Sequence, residues 1–258
     1  MADAGETTPP VFLVDALPSG EYALLTGEEA RHAATVRRMR AGERLLLGDG
    51  AGGLARCTVE AVRPGRDAEI ELRVTRRWTD PAPALRVTVV QALAKGDRGE
   101  LAVELATEAG ADAVIPWRAA RSVAKWDEGP RGAKALARWR STVRSAAKQA
   151  RRSRVPEVAE PLSTAELAGR VRRATAALVL DAAAGPGLAA VHLPAEGELL
   201  LVVGPEGGIA PEEAGLLAEA GATAVRLGPD VLRTSTAAAV TLGALGVLTG
   251  RWDRGEST

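Results

Sequence analysis

Cysteine occurs once in the 258 residues, at Cys57, and histidine twice, at His32 and His192. A disulfide framework is excluded, and the chain reads as a protein of a reducing compartment. One thiol and two imidazoles are too few for a structural zinc site, so no metal is expected. Thiol chemistry at Cys57 stays open in principle. Its neighbours Ala55, Arg56, Thr58 and Val59 read as strand, where a cysteine is a small packed apolar group. An excess of either charge is also missing, since 33 basic residues balance 33 acidic ones. Bulk charge cannot draw the molecule to nucleic acid, so any such affinity must come from a local patch. Long apolar runs are absent as well. The most apolar late stretch, residues 236–248, is far short of the ~20 residues of a membrane span and reads as a buried helix. Residues 1–10 are polar and acidic, a loose leader without the apolar core of a secretion signal. A cytoplasmic protein with no membrane partner is expected. Aromatic residues make up only 3%, a scarcity that reads as genome composition, yet apolar residues at 46% suffice for a core.

What is present changes character near residues 79–84. Before them, short apolar or alternating runs at 11–14, 22–25, 44–47, 54–62 and 70–74 are separated by turn material such as Pro18-Ser19-Gly20 and Gly48-Asp49-Gly50. With one helix at about 28–37, this predicts a small β-barrel over residues 1–78. The stretch Thr79-Asp80-Pro81-Ala82-Pro83-Ala84 has two prolines and no apolar period, and reads as a linker. After it, strands at 86–93, 113–116, 176–180, 199–203 and 224–227 alternate with helices at 97–109, 131–151, 211–220 and from about 234. That alternation predicts a parallel α/β sheet over residues 85–252. His192 reads as structural.

Two loops stand where ligands of open α/β sheets bind, at the carboxyl ends of strands. In Gly204-Pro205-Glu206-Gly207-Gly208 the glycines would let a ligand approach the backbone. Glu206 speaks against a phosphate and for a neutral or cationic ligand, with a ligand-free strand-to-helix turn as the alternative. In Leu227-Gly228-Pro229-Asp230-Val231-Leu232-Arg233-Thr234-Ser235-Thr236, a second Gly-Pro turn leads into a helix with hydroxyl caps. Arg233 is a lone charge before an uncharged helix. It either meets an anion or polar substrate, or pairs with a carboxylate such as Glu206.

From Arg131 to Arg154 there are nine Lys or Arg and no Asp or Glu. Leu136, Trp139, Val143, Ala146 and Ala150 would share an apolar stripe, leaving the cations on the opposite arc. Such a face suits a phosphate backbone, unless acidic side chains from elsewhere neutralise it. His32 with Arg31, Arg37, Arg38 and Arg40 forms a second, smaller positive cluster.

These motifs resemble one known family. The run Leu201-Val202-Val203-Gly204-Pro205-Glu206-Gly207-Gly208, then Leu227-Gly228-Pro229 with Val231-Leu232-Arg233-Thr234, is similar to the RsmE-type 16S ribosomal RNA (uracil-N3)-methyltransferases of the SPOUT superfamily. The segments Ala94-Lys95-Gly96-Asp97-Arg98, Ala106-Thr107-Glu108-Ala109-Gly110-Ala111, Arg121-Ser122-Val123-Ala124-Lys125-Trp126 and Arg154-Val155-Pro156-Glu157-Val158 match it too, so the likeness covers nearly the whole chain. It implies an N-terminal PUA-like barrel, a C-terminal SPOUT α/β domain threaded into a trefoil knot, and a homodimer. It implies methylation at N3 of a specific uridine of 16S ribosomal RNA, free or in the assembled small subunit, with S-adenosyl-L-methionine as cofactor. Carried over, cofactor contacts fall at Leu180, Val203, Gly204, Pro205, Glu206, Gly208, Leu227, Gly228, Val231, Leu232, Thr234 and Thr236, and Arg233 is the catalytic residue facing substrate. RNA contacts are expected at His32, Arg37, Arg38, Arg40, Arg140, Arg144, Lys148, Arg152 and Arg154. The chain departs from the family in having Ser235 where a Glu is usual, and Ala150-Arg151-Arg152 where a Ser-Gly pair is often found. Uracil N3 carries a proton at neutral pH, and its anion delocalises onto O2 and O4, where the Arg233 guanidinium would stabilise it. Water and Glu206 are the candidate proton acceptors. A ribose 2′-O-methyltransferase of the same superfamily and a non-catalytic RNA-binding protein are the rival readings.

Overall fold

The computed structural model describes residues 9–253. The chain divides into two compact units, and no single cut separates them. One unit holds the chain up to Ala82 together with Ala147–Val155; the other holds Pro83–Ala146 and the chain from Pro156.

In the first unit, β1 (Val11–Leu13), β2 (Tyr22–Leu25), β3 (Arg44–Gly48), β4 (Gly53–Arg63) and β5 (Glu69–Thr79) form one sheet in the order β1-β3-β4-β5-β2. Only β1 runs parallel to its neighbour. Side chains alternate across a strand, so Leu45 and Leu47, Cys57 and Val59, and Ile70 and Leu72 all point to one buried face. Ala30 of α1 (Gly27–Arg31) and Ala33 of the π-turn His32–Val36 close that face. The expected 28–37 helix is therefore an α-turn that widens into a π-turn. Cys57 is fully buried, and desolvation pushes its thiol up to about 11, which leaves it inert at neutral pH. Ser153 to Val155 lie along the β3–β4 turn: Gly52 N–H donates to the Ser153 carbonyl at 3.0 Å and Val155 N–H to that of Gly50 at 2.9 Å.

The second unit contains β6 (Leu85–Ala92), α2 (Arg98–Glu108), β7 (Ala113–Trp117), most of α3 (Pro130–Gln149), β8 (Glu157–Val158), α4 (Thr164–Val171), β9 (Ala176–Leu180), β10 (Gly197–Val203), α5 (Pro211–Glu219), β11 (Thr223–Val225) and α6 (Thr234–Leu248). The sheet order is β11-β9-β10-β6-β7-β8, parallel throughout. Its centre is buried on both faces, which is why Leu199 to Val203 is an unbroken apolar run. Leu199, Leu201 and Val203 pack toward α2 and α6, while Leu200 and Val202 pack with Leu167 of α4 and Leu217 of α5. Each such side chain contributes roughly 1.5–3 kcal/mol by leaving water.

Three expectations need correction. On α3 the buried stripe is Leu136, Trp139, Val143, Ala146 and Ala147; Ala150 lies past the helix end and is exposed. The last strand ends at Val225, two residues early, because the chain leaves the sheet there. Helix α6 is apolar all round but not buried all round: Val240, Val247 and Leu248 are 48%, 73% and 49% exposed.

Candidate active site

Because every strand of a parallel sheet ends on the same side, the loops after β9, β10 and β11 meet there. They enclose a cleft of about 570 Å³. Of the expected cofactor positions, Leu180, Val203, Gly204, Pro205, Glu206, Gly208, Leu227, Val231, Leu232 and Thr234 line it, and so does Arg233. Gly228 and Thr236 do not. Gly228 turns the chain with φ +72° and lines an adjoining apolar recess with Leu188, Ala244 and Leu248. Thr236 is already inside α6, and its hydroxyl donates to the Arg233 carbonyl at 3.2 Å.

Thr234 ties the loops together. Its hydroxyl donates to the Gly204 carbonyl at 2.7 Å and accepts from Gln91 Nε2 at 3.0 Å. Gly204 must lack a side chain, since a Cβ there would stand 2.8 Å from Ile209 Cγ1. Gly208 has φ +72°, a left-handed conformation that costs other residues energy. The buried carboxylate of Glu213 holds the neighbouring segment that carries Arg121. Its Oε1 accepts from the Ala120 amide at 2.9 Å and the Thr164 hydroxyl at 2.6 Å. Arg121 Nη1 then donates to the Gly207 carbonyl at 3.2 Å.

Glu206 is not the partner of Arg233. Its Oε1 accepts from the Lys95 amide at 3.2 Å and lies 3.5 Å from Arg98 Nη1. The Arg233 side chain is exposed and has no hydrogen bond or ion pair among the described residues, while its carbonyl caps α6. Arg233 also stands beside the positive end of that helix dipole, so the mouth of the cleft favours developing negative charge. Arg98, Asp181, Arg226 and Asp230 line the cleft too and were not expected. The signal for Arg98 was present: it follows β6, whose carboxyl end faces the same side.

The expected RNA-contacting residues fall into two sets. Arg37, Arg38, Arg40 and Arg144 are exposed. Others are engaged internally. Lys148 Nζ lies 2.6 Å from Glu29 Oε2, both side chains being about one fifth exposed, and 5.3 Å from the Phe12 ring centroid. Arg154 donates to the Asp80 carbonyl at 2.8 Å and its Nε is buried. These two hold the first unit together and are not part of an open cationic surface. Arg140 bonds the Val158 carbonyl at 3.2 Å and Glu160 at 2.9 Å. Arg152 is half-buried and has a partner of its own. His32, edge-on to Phe12 at 6.1 Å, has its pKa lowered from 6.5, first by desolvation and then by Lys148. It is mostly neutral at pH 7 and adds little cationic charge.

Comparison with known proteins places this architecture. Residues 81–246 match the RNA methyltransferase domain family and residues 25–72 the RNA methyltransferase PUA domain, so the class is that of PUA-bearing RNA methyltransferases. The chain belongs to the RsmE-type family of ribosomal RNA methyltransferases. It is 58% identical over 252 residues to ribosomal RNA small subunit methyltransferase E of Mycobacterium bovis, covering 96% of this chain and 95% of that protein. It is 32% identical to the Bacillus subtilis protein of the same name, covering 86% and 88%. A crystal structure of ribosomal RNA small subunit methyltransferase E from Neisseria gonorrhoeae, bound to S-adenosyl methionine, superposes with a TM-score of 0.81 at 28% identity. That match covers 93% of this chain and 98% of that one.

Proposed function

We propose that the protein methylates N3 of a specific uridine in small-subunit ribosomal RNA, at the equivalent of uracil 1498, using S-adenosyl-L-methionine. The observation that carries this is the strand-end cleft lined by Arg233, which has no ion pair among the described residues. Its volume is within the roughly 300–1,000 Å³ of small-molecule sites. Its apolar walls (Leu180, Val203, Leu227, Leu232) suit an adenine ring, and Asp181, Glu206 and Asp230 suit a cationic sulfonium and ammonium. Gly204 to Gly208, Leu180 and Leu227 to Leu232 would hold that cofactor, which supplies an already activated methyl group.

The protein's own residues then have two tasks. Backbone loops held by Thr234 and Arg121 align the reacting groups. Arg233 stabilises the negative charge that spreads onto the uracil oxygens as N3 loses its proton. The proton goes to water or to the Glu206 carboxylate. Ser235 stands where a Glu is usual in the family, so no carboxylate takes part from that position.

The 1–78 region acts as the RNA-binding barrel and 85–252 as the catalytic domain with its chain threaded in a trefoil knot. A second copy covers Val240, Val247 and Leu248 of α6, an apolar face that water otherwise meets. The setting is the cytoplasm, where ribosomal RNA is modified and assembled.

The test is methylation of unmethylated small subunits and of their isolated RNA, followed by nucleoside analysis. The product expected is 3-methyluridine, whereas a 2′-O-methylated nucleoside overturns the reading. Gly204→Val displaces Ile209 into the cleft, and titration calorimetry of the folded variant is expected to give no cofactor binding. Unchanged affinity sinks the proposed cofactor loop. Sedimentation as a monomer at micromolar concentration refutes the dimer.

A further inference from the structure

In the first unit, the sheet face opposite the core carries a feature that the catalytic cleft does not explain. Across the ladder, Arg56 of β4 and Arg76 of β5 stand directly opposite each other. Like charges in that position repel and destabilise a sheet. Neither guanidinium has an ion pair or hydrogen bond to another side chain among the described residues. Both instead lie over the indole of Trp78, at 5.9 Å and 5.6 Å from the ring centroid. Trp78 is half-buried against Val11, Leu13, Leu46 and Val155, and its Nε1 donates to Asp80 at 3.0 Å. The ring is therefore held in place, and both exposed arginines lie close to it.

The next rows of the same face strengthen the pattern. Thr58 stands opposite Arg44 on one side and Arg73 on the other, and Arg73 stands opposite Tyr22 on the edge strand. Tyr22 is 69% exposed. Arg73 is matched by Glu60 at 2.6 Å, so acid is supplied to one arginine and withheld from the Arg56–Arg76 pair. An open sheet face with fixed cations and an exposed aromatic ring is suited to nucleic acid, the cations to phosphates and the ring to an unstacked base.

We infer that the outer face of the β2–β5–β4 sheet is a second RNA-binding surface, on which Arg56 and Arg76, held by Trp78, grip phosphates of the substrate RNA. This rests on the proposed ribosomal RNA substrate. The contact with the ring restrains each guanidinium before the RNA arrives, so less side-chain freedom is lost on binding. Lysine would keep the charge but not the planar fork that meets phosphate oxygens two at a time.

The test is a salt series of binding to a transcript of small-subunit ribosomal RNA, using the full-length protein with Arg56→Glu and Arg76→Glu combined. Losing two phosphate contacts is expected to lower the slope of log K against log salt by about 1.4–1.8 and to weaken binding about tenfold or more near 0.1 M salt. Cofactor affinity is expected to stay the same. The pair Arg56→Gln and Arg76→Gln guards against misfolding: it relieves the repulsion, so it is expected to unfold no earlier than the wild type while losing the same phosphates. A folded variant with wild-type slope and affinity overturns the inference and leaves the proposed activity standing. A wild-type protein that binds neither the transcript nor unmethylated small subunits overturns both. Loss of binding to assembled subunits, with binding to the naked transcript intact, assigns the face to a ribosomal protein and overturns the RNA contact.

Discussion

Helix α3 and the β4–β5 ribbon are both rich in arginine, and they place their charge differently. On α3, Arg138 reaches Glu100 at 3.1 Å, Arg140 reaches Glu160 at 2.9 Å and Lys148 reaches Glu29 at 2.6 Å. The acids come from distant parts of the sequence and neutralise much of what looked like a bare cationic face. On the ribbon, Arg63 and Arg73 are paired, with Glu69 and Glu71 and with Glu60, but the ladder sets Arg56 against Arg76. A helix distributes its side chains over all directions, so tertiary neighbours can reach each one. A sheet fixes partners by register and can force like charges together. Density of charge along a sequence is therefore a poor guide to where charge remains available. The comparison yields a working rule: paired cations here serve stability, and unpaired ones serve binding or catalysis.

The sharpest test of that rule is Arg233, an unpaired cation of the cleft. Arg233→Ala is expected to lower single-turnover methylation about a hundredfold or more, the scale for losing one charge-stabilising donor, with cofactor affinity and unfolding midpoint unchanged. Arg233→Lys is expected to restore only part of the rate, lacking the planar fork. Should Arg233→Ala lose cofactor binding and keep its rate at saturating cofactor, the residue belongs to the cofactor site instead.

Lys148 tests the other half of the rule. Lys148→Met leaves the shielded Glu29 carboxylate without its partner. Urea denaturation is expected to show a loss of about 1–3 kcal/mol, less than for a fully buried pair because both groups keep some water. RNA affinity, measured on the same preparation, is expected to hold. Weakened RNA binding without lost stability would return Lys148 to the RNA surface.

A smaller effect separates Arg144 from Arg140. Both are exposed, so either change to Gln is expected to alter stability by no more than about 0.5 kcal/mol. Arg144→Gln is expected to reduce the salt dependence of RNA binding, while Arg140→Gln, whose charge Glu160 already answers, leaves it nearly intact. Equal effects from the two would break the distinction.

Much of this was legible in the sequence. Parallel strands and glycine loops marked the cleft, since strand-end loops of one sheet must converge whatever their separation along the chain. Helix α4 is not among the expected elements, although Ser163 and Glu166 form a capping box, the Ser163 amide donating to Glu166 at 2.7 Å. That signal was local and available. The pairing of Lys148 with Glu29 and the enclosure of Arg154 were not, because both depend on Ala147–Val155 joining a unit far away in sequence. The Arg56–Trp78–Arg76 cluster was hidden for a similar reason. Arg56 lies 20 and 22 positions before the other two and meets them only once the β4–β5 register is set.

The least effect is expected at His32, and it ties the two kinds of cation together. Desolvation, then Lys148, holds its pKa below 6.5; Arg37 acts the same way, and Glu29 and Glu28 oppose them. As pH falls through 6.5, the unfolded chain takes up a proton that the folded protein resists at this site, so the stability His32 contributes falls toward acid and is fully present above about pH 7.5. Unfolding followed between about pH 5.5 and 7.5 is expected to show a shallower pH dependence for His32→Gln than for the wild type. Ring-proton resonances give the site directly: His32 is expected to titrate below 6.5, with the His192→Gln variant assigning the signal. Lys148→Met removes a repelling cation and frees Glu29 to act on the imidazole, so it is expected to move the His32 midpoint upward. A midpoint that stays put in Lys148→Met would mean that desolvation alone sets it, and that the Lys148 charge is already spent on Glu29.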